Sequence, residues 1–227
     1  MRAVLWDMDG TLVDSEKLWD VAIQEFYASH GSVMSQELRD ATVGGSADTV
    51  INLVYADLGL ELDPTAMAES VDWLHDHVGE LFDLGLPWCA GAREMLDALL
   101  AAGVPMALVT NTRRGLTEKA LNSIGRHYFS VSVCANEVPV GKPAPDIYLR
   151  AAELLGLDPA HCLAIEDSVT GSAAAEDAGC PVLVVPNEVE VPGTDRRRHV
   201  ESLSDLSVAD LRAVHADLDD RASERSA

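Results

Sequence analysis

Asp7 and Asp9 stand one residue apart, directly after the apolar run Ala3-Val4-Leu5-Trp6 and directly before Gly10-Thr11. The apolar run reads as a buried strand, so two carboxylates arrive where that strand must end. Gly10 permits a sharp backbone turn there, and Thr11 supplies a hydroxyl and an amide. Two like charges about 4 Å apart at an effective dielectric near 20 repel by roughly 4 kcal/mol. A divalent cation between them reverses that sign. The chain carries its own control for this spacing. Asp217-Leu218-Asp219 repeats it in a polar C-terminal stretch, with no strand before it and no Gly-Thr after it, and reads as solvated surface. A calcium loop of the EF-hand type starting at Asp7 is excluded, because the places that need Gly and Glu hold Leu12 and Leu18.

Three more polar groups stand beside apolar runs. Thr110-Asn111 closes Met106-Ala107-Leu108-Val109, Gly141-Lys142-Pro143 precedes a helical stretch, and Glu166-Asp167 closes Cys162-Leu163-Ala164-Ile165. Alone, each has a plain structural reading as a helix cap or a surface lysine. In an open α/β sheet, however, ligands bind beyond the carboxyl ends of the strands, and these groups converge on that edge. Lys142 is one of only three lysines, with Lys17 and Lys119.

The elements that must position them follow from hydrophobic periodicity. Strands are expected at about 2–6, 106–110, 131–134, 162–165 and 182–185. They alternate with helices at about 90–102, 114–124, 144–155 and 169–178. Apolar strands alternating with helices predict a parallel sheet covered on both faces. Between Asp14 and about Leu84 the pattern is helical throughout. Leu18, Trp19, Ala22, Ile23, Phe26 and Tyr27 share one face, as do Met67, Val71, Leu74, Val78 and Leu81. Asp63-Pro64 reads as an N-cap followed by proline in the first helical position. The expected fold is α/β: a Rossmann-like parallel sheet flanked by helices over 1–14 and 86–218. A helical-bundle cap is inserted over 15–85, and a flexible polar tail covers 219–227.

Composition narrows the function. The chain has 227 residues, 48% hydrophobic content and a formal net charge of -22, which argues against nucleic acid and anionic membranes as partners. Cys89, Cys134, Cys162 and Cys180 show no paired or zinc-type spacing and read as free thiols of a reducing compartment. The apolar start is too short for a signal peptide and no apolar run approaches a membrane span, so a cytoplasmic protein is expected. His75 and His77, two apart on a helix, point apart and make a poor metal pair. Arg113-Arg114 either touches substrate or lies on a solvated helix start, the second reading being preferred, and Arg196-Arg197-Arg198-His199 reads as a surface loop.

These motifs, in this order, resemble those of the haloacid dehalogenase superfamily phosphohydrolases that carry a helical cap after the first strand. Asp7-Met8-Asp9-Gly10-Thr11-Leu12 matches the first motif, Thr110 the second, Lys142 in Gly-Lys-Pro the third and Glu166-Asp167-Ser168 the fourth. The resemblance spans about residues 2–218. Asp14-Ser15-Glu16-Lys17-Leu18-Trp19-Asp20 is similar to sugar-phosphate phosphatases of the deoxyglucose-phosphate and hexitol-phosphate kind. The resemblance implies Asp7 as nucleophile and Asp9 as acid and base. It implies Thr110, Asn111 and Lys142 as phosphate-binding residues. Mg2+ would be held by the Asp7 side chain, the Asp9 backbone carbonyl and Asp167, with Glu166 either a further ligand or behind the ligands.

The implied partner is a small phosphorylated metabolite, and the chain a monomer or weak homodimer. The inserted cap would act as a lid, and its loop Val43-Gly44-Gly45-Ser46-Ala47-Asp48 would either approach substrate or simply turn. The alternative is a sugar phosphomutase of the β-phosphoglucomutase type. Such enzymes usually carry a basic residue in that cap loop and a histidine where this chain has Trp19. Hydrolytic dehalogenation should lack the Asp9 carboxylate, and a non-enzymatic regulator would be expected to have lost a motif residue.

Overall fold

Strands β1 (Ala3–Trp6), β2 (Met106–Thr110), β4 (Cys162–Glu166) and β5 (Val182–Val184) are buried at every residue. This is what continuous apolar runs require when both sheet faces are covered. With β3 (Val131–Cys134) and β6 (Arg197–His199) they form one six-stranded sheet of order β3-β2-β1-β4-β5-β6. All five pairings are parallel. The computed structural model describes residues 1–42, 47–187 and 190–224.

Nine α-helices are present among the described residues. Those attached to the sheet are α5 (Ala92–Ala101), α6 (Arg114–Ile124), α7 (Asp146–Leu155), α8 (Val169–Asp177) and α9 (Val208–Glu224). On one face, Leu5, Val109 and Ala164 of the strands pack with Ile147, Tyr148 and Ala151 of α7 and Ala174 and Ala175 of α8, all buried. The chain order reverses direction between β1 and β4, so the ends of these two neighbours flank the crevice where such sheets bind ligands.

The chain divides into two compact units, Met1–Asp14 with Pro87–Ala227, and Ser15–Leu86. The second unit is wholly helical among its described residues: α1 (Glu16–Ser29), α2 (Gln36–Thr42), α3 (Ala47–Leu58) and α4 (Pro64–Leu84). Asp63 caps α4 by accepting a hydrogen bond from the Ala66 amide at 2.8 Å, with Pro64 in the first turn. Phe26, Tyr27, Ile51, Val54, Leu74, Val78 and Phe82 form its interior, and the Tyr27 hydroxyl donates to Asp57 at 2.9 Å. Trp19 meets His75 edge-on with ring centroids 5.4 Å apart. The Gly44-Gly45 loop, residues 43–46, lies outside the described residues.

In the first unit, the chain that leaves for this insertion runs beside the chain that returns. Val13 and Trp88 form an antiparallel bridge, and the Asp14 amide donates to the Pro87 carbonyl at 2.8 Å.

Two expectations are corrected. Arg197–His199 is no surface loop but the edge strand β6, paired with β5. Its charged residues hid it, as is common at sheet edges. Arg197 is buried, ion-paired with Glu176 of α8 and donating to the Pro192 carbonyl at 2.9 Å. Residues 219–224, expected as a flexible tail, continue α9 to Glu224. Leu211, His215 and Leu218 share its buried stripe, and His215 Nε2 bonds the Ala160 carbonyl at 2.9 Å. The last turns are tied by Arg221 and Asp217, 2.9 Å apart. All four cysteines are free thiols, with Cys134, Cys162 and Cys180 buried. Among the described residues no helix is long and apolar enough to cross a membrane.

Candidate active site

β1 ends at Trp6, which lies opposite Leu108 of β2 and Ile165 of β4. Asp7 follows, its amide bound to the Ile165 carbonyl at 3.0 Å, so its side chain emerges between the ends of β2 and β4. Lys142 reaches the same spot. Its ammonium donates to Asp7 Oδ1 at 2.5 Å, Glu166 Oε1 at 2.6 Å and the Val109 carbonyl at 3.0 Å. Its side chain is only 4% exposed. Three donors of one ammonium thus meet three acceptors, which locks the lysine in place.

Glu166 is fully buried, and each of its oxygens has partners. Oε1 accepts from Lys142 and from the Tyr148 hydroxyl of α7 at 2.6 Å, and Oε2 accepts from the Ser168 hydroxyl at 3.0 Å. Ser168 also caps α8 through the Gly171 amide at 3.1 Å. A Cβ at Gly171 would stand 1.9 Å from Glu166 Oε1, so only glycine lets this carboxylate lie against the first turn of α8, where the helix dipole favours an anion. Gly10 serves the other side of the site. Its φ is +85°, and a Cβ there would fall 2.1 Å from Asp167 Oδ2.

The carboxylate of Asp9 turns toward the end of β2. The hydroxyls of Thr110 and Thr112 both donate to its Oδ2, at 2.9 and 2.8 Å, and the Thr112 amide donates to Thr110 Oγ1 at 3.0 Å. The Thr110 hydroxyl, expected on the phosphate, therefore gives its one proton to Asp9. The side chain of Asn111, expected on the phosphate, is engaged by the Lys142 backbone. Its amide side chain donates to the Lys142 carbonyl at 3.1 Å and accepts from the Lys142 amide at 2.8 Å. It clamps the loop that carries the lysine, and a Cβ at Gly141 would collide with it at 2.7 Å. Arg114, read as a solvated helix start, is tied to Glu137 at 2.6 Å and to the Ser132 carbonyl at 2.9 Å.

Asp7, Glu166 and Asp167 each offer a ligand oxygen within 4.8 Å of the others. Burial pushes the Asp7 carboxyl up to about 7, with Lys142 pulling it down and Glu166 and Asp9 adding to the rise. Burial, then Asp7 and Glu166, push Asp167 up to about 9. Burial alone would lower the Lys142 ammonium, but the facing carboxylates Asp7 and Glu166 outweigh it and hold it charged. Three carboxylates against one ammonium leave a negative excess in a dry place. Asp7 Oδ2 is buried without a hydrogen-bond partner among the described residues. An orphaned carboxylate oxygen beside two more carboxylates fits a hard divalent cation. The carboxylates that fit are those of Asp7, Glu166 and Asp167; the Asp9 side chain turns to the threonines, and what was expected of Asp9 as a ligand was its backbone carbonyl.

The model of the haloacid dehalogenase-like hydrolases matches residues 1–179. The chain belongs to that family. Hexitol phosphatase B of Escherichia coli (strain K12) is 33% identical over 217 residues, covering 92% of this chain and 96% of that protein. Phosphoglycolate phosphatase of Thiobacillus denitrificans is 32% identical over 189 residues, covering 82% and 83%. Among solved structures, a CbbY variant from Rhodobacter sphaeroides in complex with xylulose-(1,5)bisphosphate superposes with a TM-score of 0.76 at 26% identity, covering 93% of this chain and 99% of that one. Family and phosphatase relatives together make this haloacid dehalogenase-like hydrolase a phosphatase. Thr112 and Tyr148 are the members of its polar cluster that the sequence did not single out. The only signal for either was its nearness to a motif, in Thr110-Asn111-Thr112 and six residues beyond Lys142.

Proposed function

We propose that this phosphatase hydrolyses small phosphorylated metabolites, sugar phosphates foremost, through an aspartyl phosphate on Asp7 and with Mg2+ as cofactor. The observation that carries the reading is Asp7 itself. It is a buried carboxylate at the end of the first strand, with Oδ1 on the Lys142 ammonium and Oδ2 without a partner. Asp7 and Asp167, with the backbone carbonyl of Asp9, would hold the cation, and Glu166 borders them. Bound there, Mg2+ supplies positive charge that offsets the repulsion between these carboxylates and a phosphate dianion.

The chain's own residues do the rest. An Asp7 oxygen attacks phosphorus while Lys142 balances the charge on the transferring oxygens. The bond to the leaving oxygen breaks with its electron pair, and that oxygen takes a proton from Asp9. Asp9, now a carboxylate, takes a proton from water as the water oxygen attacks phosphorus and releases Asp7. The sum is ester plus water giving alcohol plus phosphate.

The test is phosphate release from a panel of sugar phosphates, polyol phosphates and phosphoglycolate, with Mg2+ and with EDTA. Release confined to Mg2+ supports the reading; silence across the panel overturns it. The mutase alternative is disfavoured by the phosphatase relatives and by Trp19 in place of histidine. A bisphosphate-primed isomerisation assay should stay flat.

A further inference from the structure

Thr110 is asked to do two things at once. Its hydroxyl holds Asp9, while the role expected of it by resemblance is to donate to the transferring phosphoryl oxygens. One O–H has one proton to give. Thr112 resolves the conflict. It is placed by its own amide, which donates to Thr110 Oγ1 at 3.0 Å, and its hydroxyl donates at 2.8 Å to the same Asp9 oxygen that Thr110 uses. It stands just before α6, where the Thr117 hydroxyl is shared between the Thr112 and Arg113 carbonyls at 3.3 and 3.2 Å. Asp9 therefore stays anchored when Thr110 turns away from it.

We infer that Thr112 is the positioning residue of the acid/base carboxylate, holding Asp9 while the Thr110 hydroxyl moves to the phosphoryl group. The inference rests on the reading of Asp9 given above. In the first half-reaction the leaving oxygen takes its proton from the Asp9 carboxyl, and the carboxylate left behind accepts the Thr112 hydroxyl. In the second half-reaction Asp9 regains a proton from water without losing that anchor. A β-branched residue suits the task, since its χ1 is stiff.

The test separates positioning from packing by the leaving group. p-Nitrophenol departs readily without a proton, whereas the alcohol of glucose 6-phosphate does not. kcat/KM for each, which reports the first phosphoryl transfer, is measured for Thr112→Val, Thr112→Ser and Asp9→Asn. Thr112→Val should lose about tenfold or more on glucose 6-phosphate, a fraction of the ~10²–10⁴ that general acid catalysis supplies, and less than about twofold on p-nitrophenyl phosphate. Thr112→Ser should restore most of the loss. Equal losses on both substrates, no loss on either, or failure of serine to rescue would overturn the role of Thr112. If Asp9→Asn is itself indifferent to the leaving group, the acid role of Asp9 falls, and the role of Thr112 with it.

Discussion

Asp7 and Asp167 were legible in the sequence because a charged group at the end of an apolar strand is costly unless something needs it, and Lys142 because it is one of three lysines and stands in Gly-Lys-Pro before a helix. The structure brings all three together, with Lys142 donating to Asp7 at 2.5 Å. Thr112 and Tyr148 were not legible, since a hydroxyl is cheap anywhere and says nothing about where it points. Asn111 was legible as polar but not in direction: both ends of its amide go to the Lys142 backbone. Two predictions belong at this scale. Asp7→Asn should lower phosphate release by more than about a thousandfold while leaving the far-UV circular dichroism unchanged; an active variant would remove Asp7 as nucleophile. The second concerns pH. Asp7 and Asp167 are raised in the fold to about 7 and about 9, so the fold binds protons that the unfolded chain has already released. Their stabilising contribution is full below about pH 4 and is lost as pH rises through those values. In EDTA the urea midpoint should fall between pH 5 and pH 9, less so in Asp167→Asn, and Mg2+ should flatten the slope. A flat profile in EDTA would mean that the carboxylates are not crowded.

β1, β2, β4 and β5 announced themselves as apolar runs because a strand buried on both faces has no room for alternation, while the edge strand β3, Val-Ser-Val-Cys, is buried only at Val133 and Cys134. β6 and α9 did not announce themselves. β6 reads Arg-Arg-His, and its one buried side chain is a charged residue that the sequence gives no reason to bury. α9 shows its inward stripe only at Leu211, His215 and Leu218, against a polar remainder. The Arg197–Glu176 pair joins this edge strand to α8, the helix whose first turn cradles Glu166. Arg197→Met should therefore cost about 3 kcal/mol or more, because it strands a mostly buried carboxylate. Adding Glu176→Gln should recover part of that cost. The check is a double-mutant cycle in urea; additive losses would show that the pair is not coupled.

At the scale of the whole molecule the charge is -22, yet the proposed substrate is an anion. The long-range field repels it while Lys142 attracts it at the site. Only the first is screened appreciably by salt, since a buried ammonium lies out of reach of the ions. Raising NaCl from about 10 to about 150 mM, with a Debye length falling from about 30 to about 8 Å, should lower KM for a phosphate dianion. A KM that rises instead would mean that an exposed positive patch captures the substrate.

The bridge between Val13 and Trp88 has a further meaning. The 72 residues of Ser15–Leu86 leave the sheet-bearing unit and return to it at neighbouring points, with Asp14 N and Pro87 O 2.8 Å apart. In the wiring of the chain they are a parenthesis. A turn of a few residues could close the gap, so the segment could be lengthened, traded or rewritten without re-threading a single strand. Lineages that inherit such a layout can keep one reaction and audition new clientele for it, one parenthesis at a time.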